Sequence, residues 1–213
     1  PVCYDFRSLD VSLNGQGAPL VPIGDLHLFS DYKYCINLGG FANISIKESK
    51  SITAFDICPV NIVMNQLSKE LGKEYDENGD FAKKGNLIPK LLEALNNLVF
   101  YHKKPPKSLG REWVGEFINP ILILNSKTED VLNTFCEHIA MQIGKHLIDK
   151  EVLFTGGGVY NQYLMSRIKY YSNSKIIIPS KKIIDYKEAL IFAFLAVLRN
   201  RNEVNCLQSV TGA

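Results

Sequence analysis

The spacing of apolar positions changes several times along this 213-residue chain. Tyr34–Leu38 is a short apolar run broken by Gly39-Gly40; Asn43–Ile46 then alternates, and Ile52–Phe55 resumes the apolar pattern. Runs of this length bounded by glycine predict a meander of three short strands. After Pro59 the period becomes helical, with Ile62, Val63, Leu67 and Leu71 on one face and Gly72 as the stop. Pro59 suits the first turn of that helix, where a missing N–H costs nothing. A polar stretch over 73–85 precedes a helix over 87–98, and Pro105-Pro106 opens a loop that runs through Arg111. Val131, Leu132, Phe135, Ile139, Ile143 and Leu147 form the buried stripe of a long helix over 129–148. The chain closes with a strand at 152–155, a glycine turn at 156–158, a helix over 160–170, a strand at 175–178 and a helix over 186–199. Residues 1–30, rich in Gly and Pro, read as a short strand, loop and connector. Strands first, then helices, then a β-turn-α-β-α close predict an α/β domain with a mixed sheet flanked by helices.

Composition changes this picture little. With 46% hydrophobic and 22% charged residues the chain has the balance of a globular protein with a substantial core. A net charge of +2, with lysines scattered, gives no footprint for nucleic acid. The lysines at 47–50 and 103–107 read as solvated loop charges. No apolar run reaches the roughly 20 residues of a membrane span. The cysteines (Cys3, Cys35, Cys58, Cys136 and Cys206) are odd in number and form no metal-ligand spacing, so reduced thiols in a cytoplasm are expected and no protein-held metal.

Three features carry candidate chemistry. Gly39-Gly40, inside Asn37–Asn43, could let backbone N–H groups converge on phosphate oxygens; a plain hairpin turn needing positive φ competes with that reading. Thr155-Gly156-Gly157-Gly158 lies between a strand and a helix, where glycines admit a nucleotide close to the backbone. It matches neither GxGxxG nor a P-loop, which argues against a Rossmann dehydrogenase or a P-loop enzyme. Asp56, in Phe55-Asp56-Ile57-Cys58-Pro59-Val60-Asn61, is predicted at a strand end before a helix. It is either a helix cap or a catalytic base.

The order of motifs along the chain resembles the anhydro-N-acetylmuramic acid kinase family. The matching stretches are Asp5-Phe6-Arg7 with Asp10, Gly15–Pro22, the three features above, Pro106-Lys107-Ser108 with Gly110-Arg111-Glu112, Asn161 with Leu164-Met165, Glu188-Ala189 with Phe192-Ala193, and Val210–Ala213. The resemblance implies an actin-like ATPase (ribonuclease H-like) fold. It also implies an ATP- and Mg2+-dependent kinase that opens the anhydro bridge of 1,6-anhydro-N-acetylmuramic acid with water and phosphorylates O6, during cell-wall recycling. It makes Asp56 the base for the attacking water, Glu188 a sugar contact, and Arg7, Asp10 and Gln16 cleft residues. Gly39, Gly40 and Asn43 become phosphate contacts, and Gly156, Gly157 and Gly158 the adenosine loop. Expected partners are the amino sugar and ATP, with no nucleic acid or membrane, and a homodimer is allowed.

The chain departs from the family pattern in three places. Cys58-Pro59-Val60-Asn61 replaces the usual Gly-Pro-Gly-Asn, Leu109 stands at a usual threonine, and no Gly-Thr-Ser-x-Asp-Gly phosphate loop occurs. With Pro1 as its first residue, the chain reads as the later part of a longer kinase. Residues 1–30 would then be the remnant of an N-terminal lobe and connector, and 31–213 the C-terminal lobe. Without the first phosphate loop, the chain alone is expected to show little or no kinase activity. A non-catalytic sugar- or nucleotide-binding relative, and a kinase of another amino sugar or a polyol, are the competing readings.

Overall fold

The computed structural model describes residues 2–48, 51–123 and 126–212. In chain order the elements are α1 (Phe6–Ser12), α2 (Pro22–Leu28), β1 (Tyr34–Leu38), β2 (Phe41–Lys47), β3 (Ile52–Pro59), α3 (Asn61–Glu70), α4 (Asp80–Lys84) and α5 (Pro89–Asn96). They continue as α6 (Arg111–Trp113), α7 (Asn119–Leu122), α8 (Thr128–Gly144), β4 (Glu151–Thr155), α9 (Gln162–Ser172), β5 (Lys175–Ile177), α10 (Lys181–Asn200) and α11 (Gln208–Thr211). The sheet order is β3-β2-β1-β4-β5. The three consecutive strands pair antiparallel, whereas β1–β4 and β4–β5 are parallel. The meander and the closing β-turn-α-β-α unit therefore stand as the sequence predicts, and the α/β class with a mixed sheet holds.

One sheet face carries Ile36, Leu38, Ile44, Ile57, Val152 and Phe154, each at most 1% exposed, and packs beneath α3, α8 and α9. The 17-residue α8 is the spine of that layer: residues 131–140 are all buried, so it is covered on nearly every side rather than along one stripe. Its polar residues are consequently paired. Glu137 accepts from Arg167 on both oxygens and from Tyr171 Oη at 2.8 Å, which ties α8 to α9. His138 is fully buried between Asn96 Oδ1 at 2.8 Å and Tyr101 Oη at 2.9 Å. An amide oxygen on one side and a hydroxyl on the other suit a neutral imidazole, with Nδ1–H donating and Nε2 accepting.

That burial gives a testable pH dependence. Desolvation first, and then the nearby Lys145 charge, lower the His138 pKa from 6.5 to about 3. The unfolded chain therefore takes up this proton before the folded one. The stability is fully present above pH 6.5 and is lost as pH falls toward 3. Urea unfolding between pH 7 and 5, where carboxylates contribute little, should show stability falling by up to ~1.4 kcal/mol per pH unit below the His range from this group, and His146, lowered by burial to about 4, adds to the same slope. His138→Gln should reduce that slope by about half; an unchanged slope would remove His138 as a cause.

Several expectations change. Residues 1–30 contain no strand among those described but two helices, α1 and α2. Asp5 caps α1 by accepting from Ser8 N, and Pro22 opens α2. Those Gly and Pro residues sit at helix ends and in the connecting loop, which is why composition alone suggested irregular chain. The polar 73–85 stretch holds α4, and Arg111, expected to close the loop, instead opens α6, which continues through a π-helical turn at Val114–Ile118 and α7 over a stretch for which the sequence reading named no element. β3 runs to Pro59, so this proline ends a strand rather than opening a helix, and α3 starts at Asn61. Lys47 is not a solvated charge: it is 8% exposed, and its ammonium donates to Asp25 O (2.9 Å) and to Phe29 O. Lys50 lies outside the described residues, as does Ala213 of the terminal motif.

Candidate active site

The second face of the sheet is polar at its C-terminal end. Asp56 pairs across to Asn43, Asn43 to Asn37, and Asn37 to Thr155. Directly paired residues present their side chains to the same face, so four polar groups from β3, β2, β1 and β4 form a row. The row lies toward the C-terminal ends of β1 and β4 and in the C-terminal half of β3, the side on which α/β sheets hold their ligands. A bulge between Ala42 and Asn43 resets the β2 register, and Asn43 joins the row as a result.

Asp56 sits inside β3, not before a helix, and caps nothing; the residue preceding α3 is Val60, which makes no side-chain cap. The segment after the Pro105-Pro106 turn runs beside β3, with Asp56 N–H donating to Lys107 O (3.1 Å) and Leu109 N–H donating to Asp56 Oδ2 (2.8 Å). Partial burial raises the Asp56 pKa above its ordinary 3.8, and the Leu109 N–H opposes that rise. One carboxylate oxygen is thus anchored, and the side chain borders a cleft of about 310 Å³ lined also by Arg7, Gln16, Lys107, Leu109 and Phe192. Leu109 contributes a backbone N–H, so replacing the usual threonine leaves this anchor in place.

Arg7 and Gln16 reach the cleft with Asp56. Asp10 does not line it. At 2% exposure it accepts from Gly17 N–H (2.8 Å) and from Thr211 Oγ1 (2.6 Å). Arg7 donates to Gly17 O at 2.8 Å, and Gln16 N–H to Thr211 O at 2.9 Å. The motifs from the two ends of the chain are therefore one bonded platform, with Asp10 as its buried tie. Glu188 is exposed on α10, one helical turn before Phe192, and is not among the lining residues. Lys107 and Phe192 are cleft residues that the sequence reading did not single out as functional. The Lys107 ammonium lies 4.7 Å from the Phe100 ring centre, and its burial lowers its pKa. The sequence reading places it in a matching motif but takes it for a solvated loop charge; its partial burial against Phe55 and Phe100 corrects that.

The second cavity, about 700 Å³, is bordered by Gly157 and Gly158 and by Asn61, Tyr75, Asp76 and Asn161. Gly156 has φ +84°, and a Cβ there would lie 2.7 Å from Leu38 O; at Gly158 it would lie 2.7 Å from Leu38 Cβ. Those two glycines bring the turn against the end of β1, while Gly157 faces open space and borders the cavity. Asn161 caps α9 by accepting from Leu164 N–H at 2.9 Å. The Gly39-Gly40 hairpin does not use positive φ at either glycine. Its carbonyls instead receive Val60 N–H (2.8 Å) and Asn61 N–H (3.3 Å), which fixes the start of α3 against it. Cys58 is fully buried, and burial drives its thiol pKa far up, so it is a core residue without nucleophilic character.

A model of the anhydro-N-acetylmuramic acid kinases matches residues 1–213. The chain belongs to the anhydro-N-acetylmuramic acid kinase family. Relatives bearing that name include one from Bacillus cereus strain AH187, 33% identical over 236 residues, and one from Nitrosomonas europaea, 34% identical over 226 residues. Each alignment takes in 100% of this chain and 62% of the relative, so the chain spans less than two thirds of the family members it matches. Among solved structures, the activator of the 2-hydroxyisocaproyl-CoA dehydratase from Clostridium difficile, with bound ADPNP, aligns with a TM-score of 0.50 at 14% identity. That alignment covers 87% of this chain and 68% of the activator. At that identity the likeness speaks for the fold alone, and it agrees with the actin-like ATPase architecture expected from the motifs. Among the described residues no helix is long and apolar enough to cross a membrane.

Proposed function

We propose that this chain supplies the water-activating and nucleotide-holding parts of an ATP-dependent kinase acting on 1,6-anhydro-N-acetylmuramic acid. The observation that carries the reading is Asp56: a half-buried carboxylate, one oxygen anchored by Leu109 N–H, bordering a cleft at the end of the sheet. In this reading the sugar occupies the 310 Å³ cleft and the nucleotide the 700 Å³ cavity. Asp56 takes a proton from water as the water oxygen bonds to C1. The C1–O6 bond breaks, O6 takes the terminal phosphoryl group, and ADP leaves with the bridging oxygen. A positioned carboxylate base contributes about 10²–10⁴-fold to such a step. Gly39, Gly40 and Asn43 would face the phosphates, and Gly156–Gly158 the adenosine. Arg7 and Gln16 would contact the sugar, with Glu188 approaching it from α10. Residues 1–30 would form the connector between lobes.

No group of three or more His, Cys, Asp or Glu residues could hold a metal ion among the described residues. The donor set suits a Mg2+ ion that arrives on the triphosphate and keeps its own waters, with Asp56 the single acidic group of the row. Such an ion would neutralise phosphate charge.

The test uses the product of the complete gene, ATP and the anhydro sugar in H2(18)O, followed by mass spectrometry. The expected product is N-acetylmuramic acid 6-phosphate carrying one 18O at C1. A phosphorylated sugar that keeps its anhydro bridge, or binding of both ligands with no product, would overturn the reading.

A further inference from the structure

Lys187 is a charged residue on the buried stripe of α10, in line with Ile184, Ile191 and Leu195. It is 5% exposed. A desolvated ammonium is tolerated only where other groups replace its water. Here α2, β4 and the chain after α2 supply them. Lys187 Nζ donates to Thr155 Oγ1 at the end of β4 (3.3 Å), lies 2.6 Å from Asp25 Oδ1, and sits 5.1 Å from the Phe29 ring centre. The Asp25 contact is an ion pair without hydrogen-bond alignment, so the directed bond from the ammonium goes to Thr155. Asp25 is fixed in turn: Ser45 Oγ donates to its Oδ2 at 2.8 Å, and Lys47 donates to its carbonyl at 2.9 Å. Gly24, beside it, leaves room for Ile191 of α10. The helices α2 and α10 and the sheet are locked together at this point.

Both pockets meet this tie. Thr155 precedes Gly156 and opens the turn at the larger cavity. The far end of the same turn is also held to α10, by Tyr160 Oη donating to Asp185 Oδ1 at 3.0 Å. Tyr160 and Ile178, which leads into α10, border the larger cavity, whereas Phe192 borders the Asp56 cleft. One helix therefore grips both ends of the glycine turn and, further along, places Phe192 in the wall of the other pocket. Lys187 itself lines neither. A desolvated ion pair is costly to break, and close-packed elements transmit strain rather than absorb it. A ligand that shifts or fixes the turn therefore acts on α10 as well.

We propose that Lys187 is a positioning residue that couples the two pockets: through Thr155 it sets the glycine turn in register with α10, so that nucleotide and sugar each tighten the binding of the other. The proposal rests on the reading of the larger cavity as the nucleotide site and of the Asp56 cleft as the sugar site. Its action is on the link between the ligands, because Lys187 reaches neither of them.

Calorimetric titration of the complete-gene product with ADPNP, in the absence and presence of saturating anhydro sugar, tests this in the wild type, Thr155→Val and Thr155→Ser. Valine removes the hydroxyl that accepts from Lys187 and leaves the Lys187–Asp25 pair in place; serine keeps the hydroxyl. In the wild type the sugar should tighten ADPNP binding by about 5- to 150-fold, and ADPNP should tighten sugar binding by the same factor. In Thr155→Val that factor should fall below about twofold, whatever happens to either affinity alone, and Thr155→Ser should keep most of it. A wild type that binds both ligands independently would overturn the proposal, as would wild-type coupling in Thr155→Val. Equal loss of coupling in the valine and serine variants would make Thr155 a packing residue and also overturn it. If Thr155→Val melts early, the double variant Asp25→Asn with Lys187→Met decides, since it removes both charges together. Loss of coupling there supports the proposal and retention overturns it. A wild type that fails to bind one of the ligands under either condition would instead remove the reading of that pocket.

Discussion

In the complete-gene product, and with Asp56 as the proposed base, Asp56→Asn should lower turnover of the anhydro sugar by about 10²–10⁴-fold while leaving the fold and the binding of ATP and sugar nearly unchanged. Asparagine keeps the shape of the side chain, and its amide oxygen can still accept from Leu109 N–H, which is 2.8 Å from Oδ2 in the parent. What it loses is the ability to take a proton from water. The effect should therefore fall on kcat rather than on KM. The parent enzyme should also show an acid limb in kcat/KM. With Asp56 as the proposed base, activity would require the ionised carboxylate, and burial lifts the Asp56 pKa above 3.8, so activity should begin to fall at a higher pH than an ordinary aspartate would give. Activity rises as pH climbs through this value and is lost as pH drops below it. Turnover in Asp56→Asn within a factor of a few of the parent would take the base role away from this residue.

The second large effect is expected at Gly156. Gly156→Ala combines a left-handed backbone, at φ +84°, with a methyl group that would sit 2.7 Å from Leu38 O and 2.8 Å from Leu38 C. With ψ at 161° this conformation is essentially open only to glycine, and another residue there costs about 1–3 kcal/mol before any clash is counted. The obstructing atoms are backbone of β1, so they cannot rotate away, and the turn must separate from the strand. A total destabilisation of about 2–4 kcal/mol is expected, within the range of strain and overpacking effects. Nucleotide affinity should fall with it, because the same shift moves Gly157 and Gly158 at the cavity edge. Gly157→Ala is the control for stability: no atom lies within 4 Å of its Cβ position and its φ is not left-handed. Its melting temperature should stay near the parent's. Equal melting temperatures for the two variants would mean that close packing against β1 is not what Gly156 provides.

Much of the scaffold was legible from the chain alone. The apolar runs at 34–38 and 152–155, and the glycines that end them, gave β1, β4 and the turns because strand period and glycine punctuation are local properties. The stripe of Val131, Leu132, Phe135, Ile139 and Ile143 gave α8 for the same reason. The ordered motifs also identified the family and pointed to Asp56, Arg7 and Gln16, which the fold gathers at one cleft. Local pattern failed where a residue's state depends on distant partners. Lys47 looked solvated, yet its ammonium is buried against the carbonyls of Asp25 and Phe29. Asp10 looked like a cleft residue, yet it is consumed in joining Gly17 to Thr211, about two hundred positions away in the chain. Asp56 itself could be named from sequence as either a cap or a base. Only the tertiary structure, by extending β3 to Pro59 and laying Leu109 beside it, took away the cap and set the carboxylate in a polar row with Asn43, Asn37 and Thr155. Cross-strand register decides such a row, and register is fixed by pairing between segments that the sequence lists far apart.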